Sequence, residues 1–307
     1  MMPRSASLSL PPGGATPVSR LALVALAVLL AWPAKAQAHD FVILPSTTTP
    51  AAGTDFDLGM RVAEVFPGEQ VAWRTGHVLE LAIVDARGRT DIESPTIAGD
   101  PAQARLRLRA PGTAVVALAT DPSYITLEGP QFTAYLKEEG HEAPLAARRG
   151  DKAAAPGRER YTRHVKTLLN IAGPNASVAL TRVGLTLEIV PEKDLATLLP
   201  GGTLPVRVFF RNAPYSNGFL CAADAADLAV PTSGHDTGPA APGGGQGPYA
   251  WCGRLDGAGR ISVPIPRAGW QMLRTTKMIE LHDDPKADWH SFWSSLTFQV
   301  AASGGHS

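Results

Sequence analysis

The sequence predicts a mainly β protein: two β-sandwich domains with a helical insert between them. Three observations carry this expectation. Short runs alternate polar and apolar residues at period two, and turn residues separate the runs. Gly and Pro number 30 and 27 among 307 residues, which is high for a helical chain yet below the fraction that marks disorder. Ala104-Arg105-Leu106-Arg107-Leu108-Arg109 alternates so strictly that it buries one face only, which antiparallel sheets permit and parallel sheets do not.

In chain order, residues 1–38 read as a signal peptide. Arg4, Arg20 and Lys35 are unopposed by any acid, the apolar run Leu21 to Trp32 follows, and Ala36-Gln37-Ala38 suits signal peptidase. The run is too short to cross a bilayer as a helix, so no membrane span is expected after cleavage, and the protein is expected in the periplasm. Residues 39–128 form the expected N-terminal sandwich, with strands at 55–62, 78–84, 104–109 and 113–119. Residues 129–173 form the expected helical insert. There Phe132, Tyr135 and Leu136 fall at i, i+3 and i+4. Tyr161, Val165, Leu168 and Leu169 give a second helical spacing over Arg158 to Asn170, where Glu159 and Arg163 would pair at i, i+4. Residues 174–302 form the expected C-terminal sandwich, with strands at 185–191, 204–211, 260–265, 270–281 and 295–300. Residues 303–307 are read as a disordered tail.

Charge narrows the function. Lys+Arg and Asp+Glu are equal at 28 each, and no long basic block appears, so a nucleic-acid partner is not expected. The two cysteines of an exported chain, Cys221 and Cys252, are most simply one disulfide. They flank the Gly- and Pro-rich segment Thr232 to Tyr249, which reads as a long loop stapled at its base.

Cleavage after Ala38 would make His39 the first residue. An N-terminal His offers an amine, an imidazole and a backbone amide within one residue, a chelating set for borderline divalent metals. Cleavage after Ala36 would instead leave Gln37 first and remove the amine ligand, and His39 also reads as an ordinary surface residue at a chain end.

Several segments together resemble a family of exported bacterial proteins of unknown function, often encoded beside nickel or cobalt uptake systems. They are His39-Asp40-Phe41-Val42-Ile43-Leu44-Pro45, Phe132 to Gly140, Gly157 to Lys166, Pro205 to Phe210, Gly259-Arg260, Gly269-Trp270, and Asp288-Trp289-His290-Ser291-Phe292-Trp293-Ser294-Ser295-Leu296-Thr297-Phe298. The resemblance implies a periplasmic location, an immunoglobulin-like or transthyretin-like sandwich at the C-terminal end, and a link to divalent-metal handling with an inner-membrane metal transporter as partner. The chain departs from the family where many relatives carry His-Met and this sequence has Lys277-Met278.

No His-x-His or His-x3-His pair occurs among the eight histidines. The local cluster His282-Asp283-Asp284, followed by Asp288 and His290, mixes imidazoles and carboxylates as nickel, cobalt, copper or zinc sites do. It also suits a hairpin turn for conformational reasons alone. The best construction for a site is His39 with His282 or His290, Asp40 or water completing it, and Met278 or Met60 tuning a copper ion. Trp289, Phe292 and Trp293 are expected to pack in the core, with Trp289 the more exposed member.

No nucleophile elbow, zinc-protease helix, phosphate-binding loop or dinucleotide fingerprint is present, so an enzyme is not expected. The expected function is a periplasmic accessory protein that binds nickel, cobalt or copper for uptake or handling. The alternative is a non-catalytic envelope module that recognises a protein or glycan without metal.

Overall fold

A computed structural model describes residues 40–226, 228 and 249–302. The expected signal peptide, His39, most of the 232–249 loop and the tail at 303–307 lie outside these residues. The described residues form 18 strands in three sheets, and half of the chain is strand, so the expectation of a mainly β sandwich protein holds.

The front sheet has the order β1-β2-β7-β6, with β3 also on β2: β1 is Asp40–Pro45, β2 Asp55–Ala63, β3 Glu69–Val71, β6 Thr96–Ala98 and β7 Gln103–Arg107. The central sheet is β15-β14-β17-β18-β10-β8-β4-β5, with β9 on β10. Its strands are β4 Val78–Asp85, β5 Gly88–Asp91, β8 Ala114–Thr120, β9 Ser123–Leu127, β10 Gly157–Leu169, β14 Phe219–Ala225, β15 Trp251–Arg254, β17 Gly269–Glu280 and β18 Trp289–Val300. The back sheet is β11-β12-β13 with β16 on β12: β11 is Leu187–Pro191, β12 Gly202–Phe210, β13 Ala213–Pro214 and β16 Arg260–Ile265.

Side-chain alternation makes the central sheet the middle of three layers. Val116 and Leu118 of β8 pack forward with Ile43, Phe56 and Leu58 of the front sheet. Val115 and Ala117 of the same strand pack backward with Ile189, Val206 and Val263 of the back sheet. All seven residues of β8 are therefore buried, a pattern set by the two flanking layers. Two sandwiches share one sheet. The expected boundaries after residues 128 and 173 do not separate the layers, because β18 from the C-terminal part pairs in parallel with β10, which pairs antiparallel with β8.

The helical insert needs correction. The first helix exists as α1, Gly129–Glu138, with Pro130 in its first turn and Phe132, Tyr135 and Leu136 buried as their spacing predicted. A short α2 follows at Glu142–Ala147. Residues 158–170, expected as a second helix, instead form most of β10 at the centre of the largest sheet. Their charges hid the strand, because several of them find partners inside the protein. Lys166 Nζ, for example, lies 2.9 Å from Glu188 Oε1 between the central and back sheets, with both side chains buried. Thr162, Val165 and Thr167 are β-branched and suit a strand better than a helix. Gly157 opens β10 directly beneath α1, where a Cβ would meet the Phe132 ring at 2.1 Å.

Candidate functional site

The front face of the central sheet holds a dense buried polar network where β1, β17, β18 and α1 meet. Asp40, the first residue of β1, is buried, and both of its carboxylate oxygens are engaged. Oδ1 accepts from Arg274 Nε at 2.9 Å and Oδ2 accepts from the Tyr249 hydroxyl at 2.8 Å. Arg274 comes from β17, and its two terminal nitrogens donate to Glu139 at 2.6 and 3.0 Å, a bidentate pairing at the C-terminal end of α1. Thr276, two residues along β17 and therefore on the same face, donates to Glu139 at 3.3 Å and stands 3.3 Å from His141 Nε2.

Aromatic rings join this half of the network to a second one. The Arg274 guanidinium lies 5.1 Å from the Trp293 ring centre, and Trp293 stacks on Tyr135 at 6.2 Å. Tyr135 donates to Glu159 Oε1 at 3.2 Å, Ser291 donates to the same oxygen, and Trp293 Nε1 donates to Ser291 at 3.0 Å. Burial pushes the Glu159 carboxyl up to about 7, against the lowering effect of Ser291 and Tyr135. Burial also raises Asp40, opposed by Arg274, and takes the His141 imidazole down to about 4. Arg274 is raised despite its burial because Glu139, Tyr249 and Asp40 surround it.

Of the residues expected to hold a metal, the described ones, Asp40, His282 and His290, are not gathered into one group. Asp40 is an ion-pair anchor instead of a free ligand, and it lies between the front and central sheets. His290 points to the back layer, where Nδ1 lies 3.0 Å from an Arg160 nitrogen and Nε2 lies 3.3 Å from the Thr162 hydroxyl. His282 is exposed in the turn between β17 and β18. His39 lies outside the described residues. Met60 and Met278 are buried among apolar side chains. Among the described residues, no group of three His, Cys, Asp or Glu side chains is arranged to hold a metal ion. Trp289, expected to be the more exposed of three core aromatics, is buried against Phe132, and Trp293 is the partly exposed member. Cys221 and Cys252 are bonded, as expected, at opposed positions of β14 and β15. No helix of the described residues is long and apolar enough to cross a membrane.

Residues 36–278 match the family described as Domain of unknown function (DUF4198). The chain belongs to this family. No curated protein matches it. Among solved structures, the chain is similar to one titled D0-D1 domain of Intimin, at 12% identity and a TM-score of 0.18, covering 84% of this chain and 97% of that one.

The segments that carry the resemblance to a family converge on the buried network. Asp40 comes from the first, Tyr135 and Glu139 from the second, Glu159 from the third, and Ser291 and Trp293 from the last. Sequence reasoning missed Arg274, Glu139 and Glu159 as a group. The available signal was a charged residue set within a run that otherwise reads as strand, as Arg274 is in Met272-Leu273-Arg274-Thr275-Thr276; such a residue is buried only with partners.

Proposed function

We propose that this member of the family is a non-catalytic periplasmic protein that binds a divalent transition metal, nickel, cobalt or copper, at its mature amino terminus, as an accessory to an inner-membrane metal transporter. The observation that carries this reading is the anchoring of Asp40. The residue bonded to its backbone nitrogen follows directly onto a strand fixed by Arg274 and Tyr249, so a first residue His39 would have its amine, amide and imidazole joined to a rigid point. His141, connected to Asp40 through Thr276, Glu139 and Arg274, supplies an imidazole in the same network. It replaces His290 in the proposal, because His290 faces the opposite side of the central sheet. Burial keeps the His141 ring neutral at pH 7, the form a metal requires.

The test is calorimetry of the mature protein with nickel, cobalt and copper, beside a version carrying one extra glycine before His39 and a His141→Ala variant. The reading expects binding that the extra residue weakens by at least about tenfold, because the primary amine moves off His39 and the chelate ring it closes with that residue's imidazole is broken. Binding indifferent to the added glycine would refute the amino-terminal site.

A second reading, an envelope module that recognises a protein or glycan without metal, draws on β9. Among the described residues this strand pairs only with β10, and Tyr124 and Ile125 stand exposed on it, so it offers an open edge for strand addition. Absence of binding by all three metals would favour it.

A further inference from the structure

On the opposite, back-layer side of the central sheet, the register gathers a group of cations that the metal reading does not use. His290 stands opposite Arg160 and Phe292 opposite Thr162 in the parallel pairing of β18 with β10, and Lys277 of β17 stands opposite Phe292. Alternation puts these side chains and His164 on one face. The contacts agree: His164 stacks on Phe292 at 6.0 Å, the His290 ring lies tilted 3.9 Å from it, and the Lys277 ammonium lies 5.0 Å from the ring centre of Tyr215 in the back layer. Arg211 reaches in from the turn between β12 and β13. Its backbone is held in the left-handed region, at φ 48°, with its N–H bonded to the Thr186 carbonyl, and its guanidinium lies 5.7 Å from the Phe292 ring centre.

The charges there do not balance. Arg160 pairs with Asp284 at 3.0 Å, but Arg211 and Lys277 have no carboxylate partner among the described residues. Arg211 is exposed and Lys277 is half-buried, so both are reachable from solvent. Two further polar atoms in the group are idle: Nδ1 of His164, a residue only 6% exposed, and Arg160 Nε are buried without a hydrogen-bond partner. Burial takes both imidazoles down to about 4, and the positive charges of Arg160 and Arg211 add to this at His290. A planar fork and an ammonium beside an aromatic ring, with no carboxylate of their own, form a set that oxyanions satisfy and cations do not.

We propose that Arg211, Lys277, Arg160 and the His164–His290 pair form a binding site for a small oxyanion, a carboxylate or phosphate group, on the face of the central sheet opposite the Asp40 network. This inference is independent of the metal reading. Metal-free mature protein is titrated with citrate and, separately, with inorganic phosphate, by calorimetry and by nitrogen–proton NMR of the imidazoles. Expected are saturable binding of at least one anion, shifts at His290 and His164 but not at His141, and a loss of about tenfold or more in affinity in Arg211→Ala and Lys277→Ala. Response to citrate alone assigns the site to carboxylates, and response to phosphate alone assigns it to phosphoryl groups. No saturable binding of either anion, or affinity unchanged in both variants, would overturn the proposal. Because Arg211 is exposed and both residues lie outside the ion-paired core, the thermal midpoint of each variant is expected to match that of the native protein; Arg211→Lys, which keeps the charge without the fork, should retain part of the affinity.

Discussion

Arg274 Nε lies 2.9 Å from Asp40 Oδ1 across 234 residues of sequence, joining the first residue of β1 to the middle of β17. The same guanidinium clamps Glu139 at the end of α1, so one buried cation ties β1 and α1 to the central sheet. Replacing Arg274 by Ala leaves two buried carboxylates unpaired and should cost about 3–5 kcal/mol. Asp40→Asn should cost less, because it keeps the shape of the side chain and leaves Arg274 paired with Glu139. Urea denaturation of the two variants checks the order; equal losses would show that Asp40 and Glu139 are not both carried by Arg274.

Stability should depend on pH through Glu159. Folding raises its pKa from 4.5 to about 7, so in that window the folded protein holds a proton that the unfolded chain releases. The contribution is fully present below pH 4.5 and is lost as pH rises through about 7. Glu159→Gln cannot ionise and should escape this loss. His141, His164 and His290 act the other way: their folded values of about 4 lie below 6.5, so their contribution is present above pH 6.5 and lost as pH falls through about 4. They are common to both proteins and cancel in the comparison. The urea midpoint of the variant relative to the native protein should therefore rise between about pH 5 and pH 8. A difference that stays constant across that window would show that Glu159 does not titrate there.

Gly157 should resist substitution although its backbone is unexceptional. An added Cβ would sit 2.1 Å from the Phe132 ring, which is fully buried and cannot retreat. Gly157→Ala should lower stability by about 1–3 kcal/mol, as overpacking of a filled core does. Gly88→Ala makes a useful contrast. It meets nothing within 4 Å and is penalised only by a backbone φ of 98°, so it should leave Phe132 and α1 undisturbed in tryptophan fluorescence of the adjacent Trp289.

Removing the disulfide should destabilise without reorganising the sheets. Cys221 and Cys252 close a loop of 31 residues between strands already paired by backbone hydrogen bonds. Cys221→Ser with Cys252→Ser should cost about 3–4 kcal/mol in the chain-entropy picture, with the circular dichroism of the folded protein unchanged. A loss of strand signal would show that β14 and β15 depend on the bond for their pairing.

The strands that face a neighbouring layer on one side were the most legible in the sequence. Asp55 to Val62 and Arg260 to Ile265 show their alternation because one face meets water, and Phe132, Tyr135 and Leu136 show the helical spacing of α1 for the same reason. The middle of the molecule was less legible. Periodicity reports contact with water, and β10 is flanked by a layer on both faces: Glu159 meets Tyr135 and Ser291, Arg160 meets Asp284, and Lys166 meets Glu188, so charges within the run find their partners inside the protein.

The same reasoning divides the candidate sites. Local order in the chain was enough to name the pairing of Cys221 with Cys252 and the segments that mark the family, because each is a property of residue type and sequence position. Whether Asp40 could serve as a ligand, whether His290 shares its side of the sheet, and which residues surround Arg274 were decided by tertiary structure alone. Those outcomes depend on which strands lie side by side and on the parity of each side chain about the shared sheet, and pairings between residues more than 200 positions apart leave no trace in local spacing.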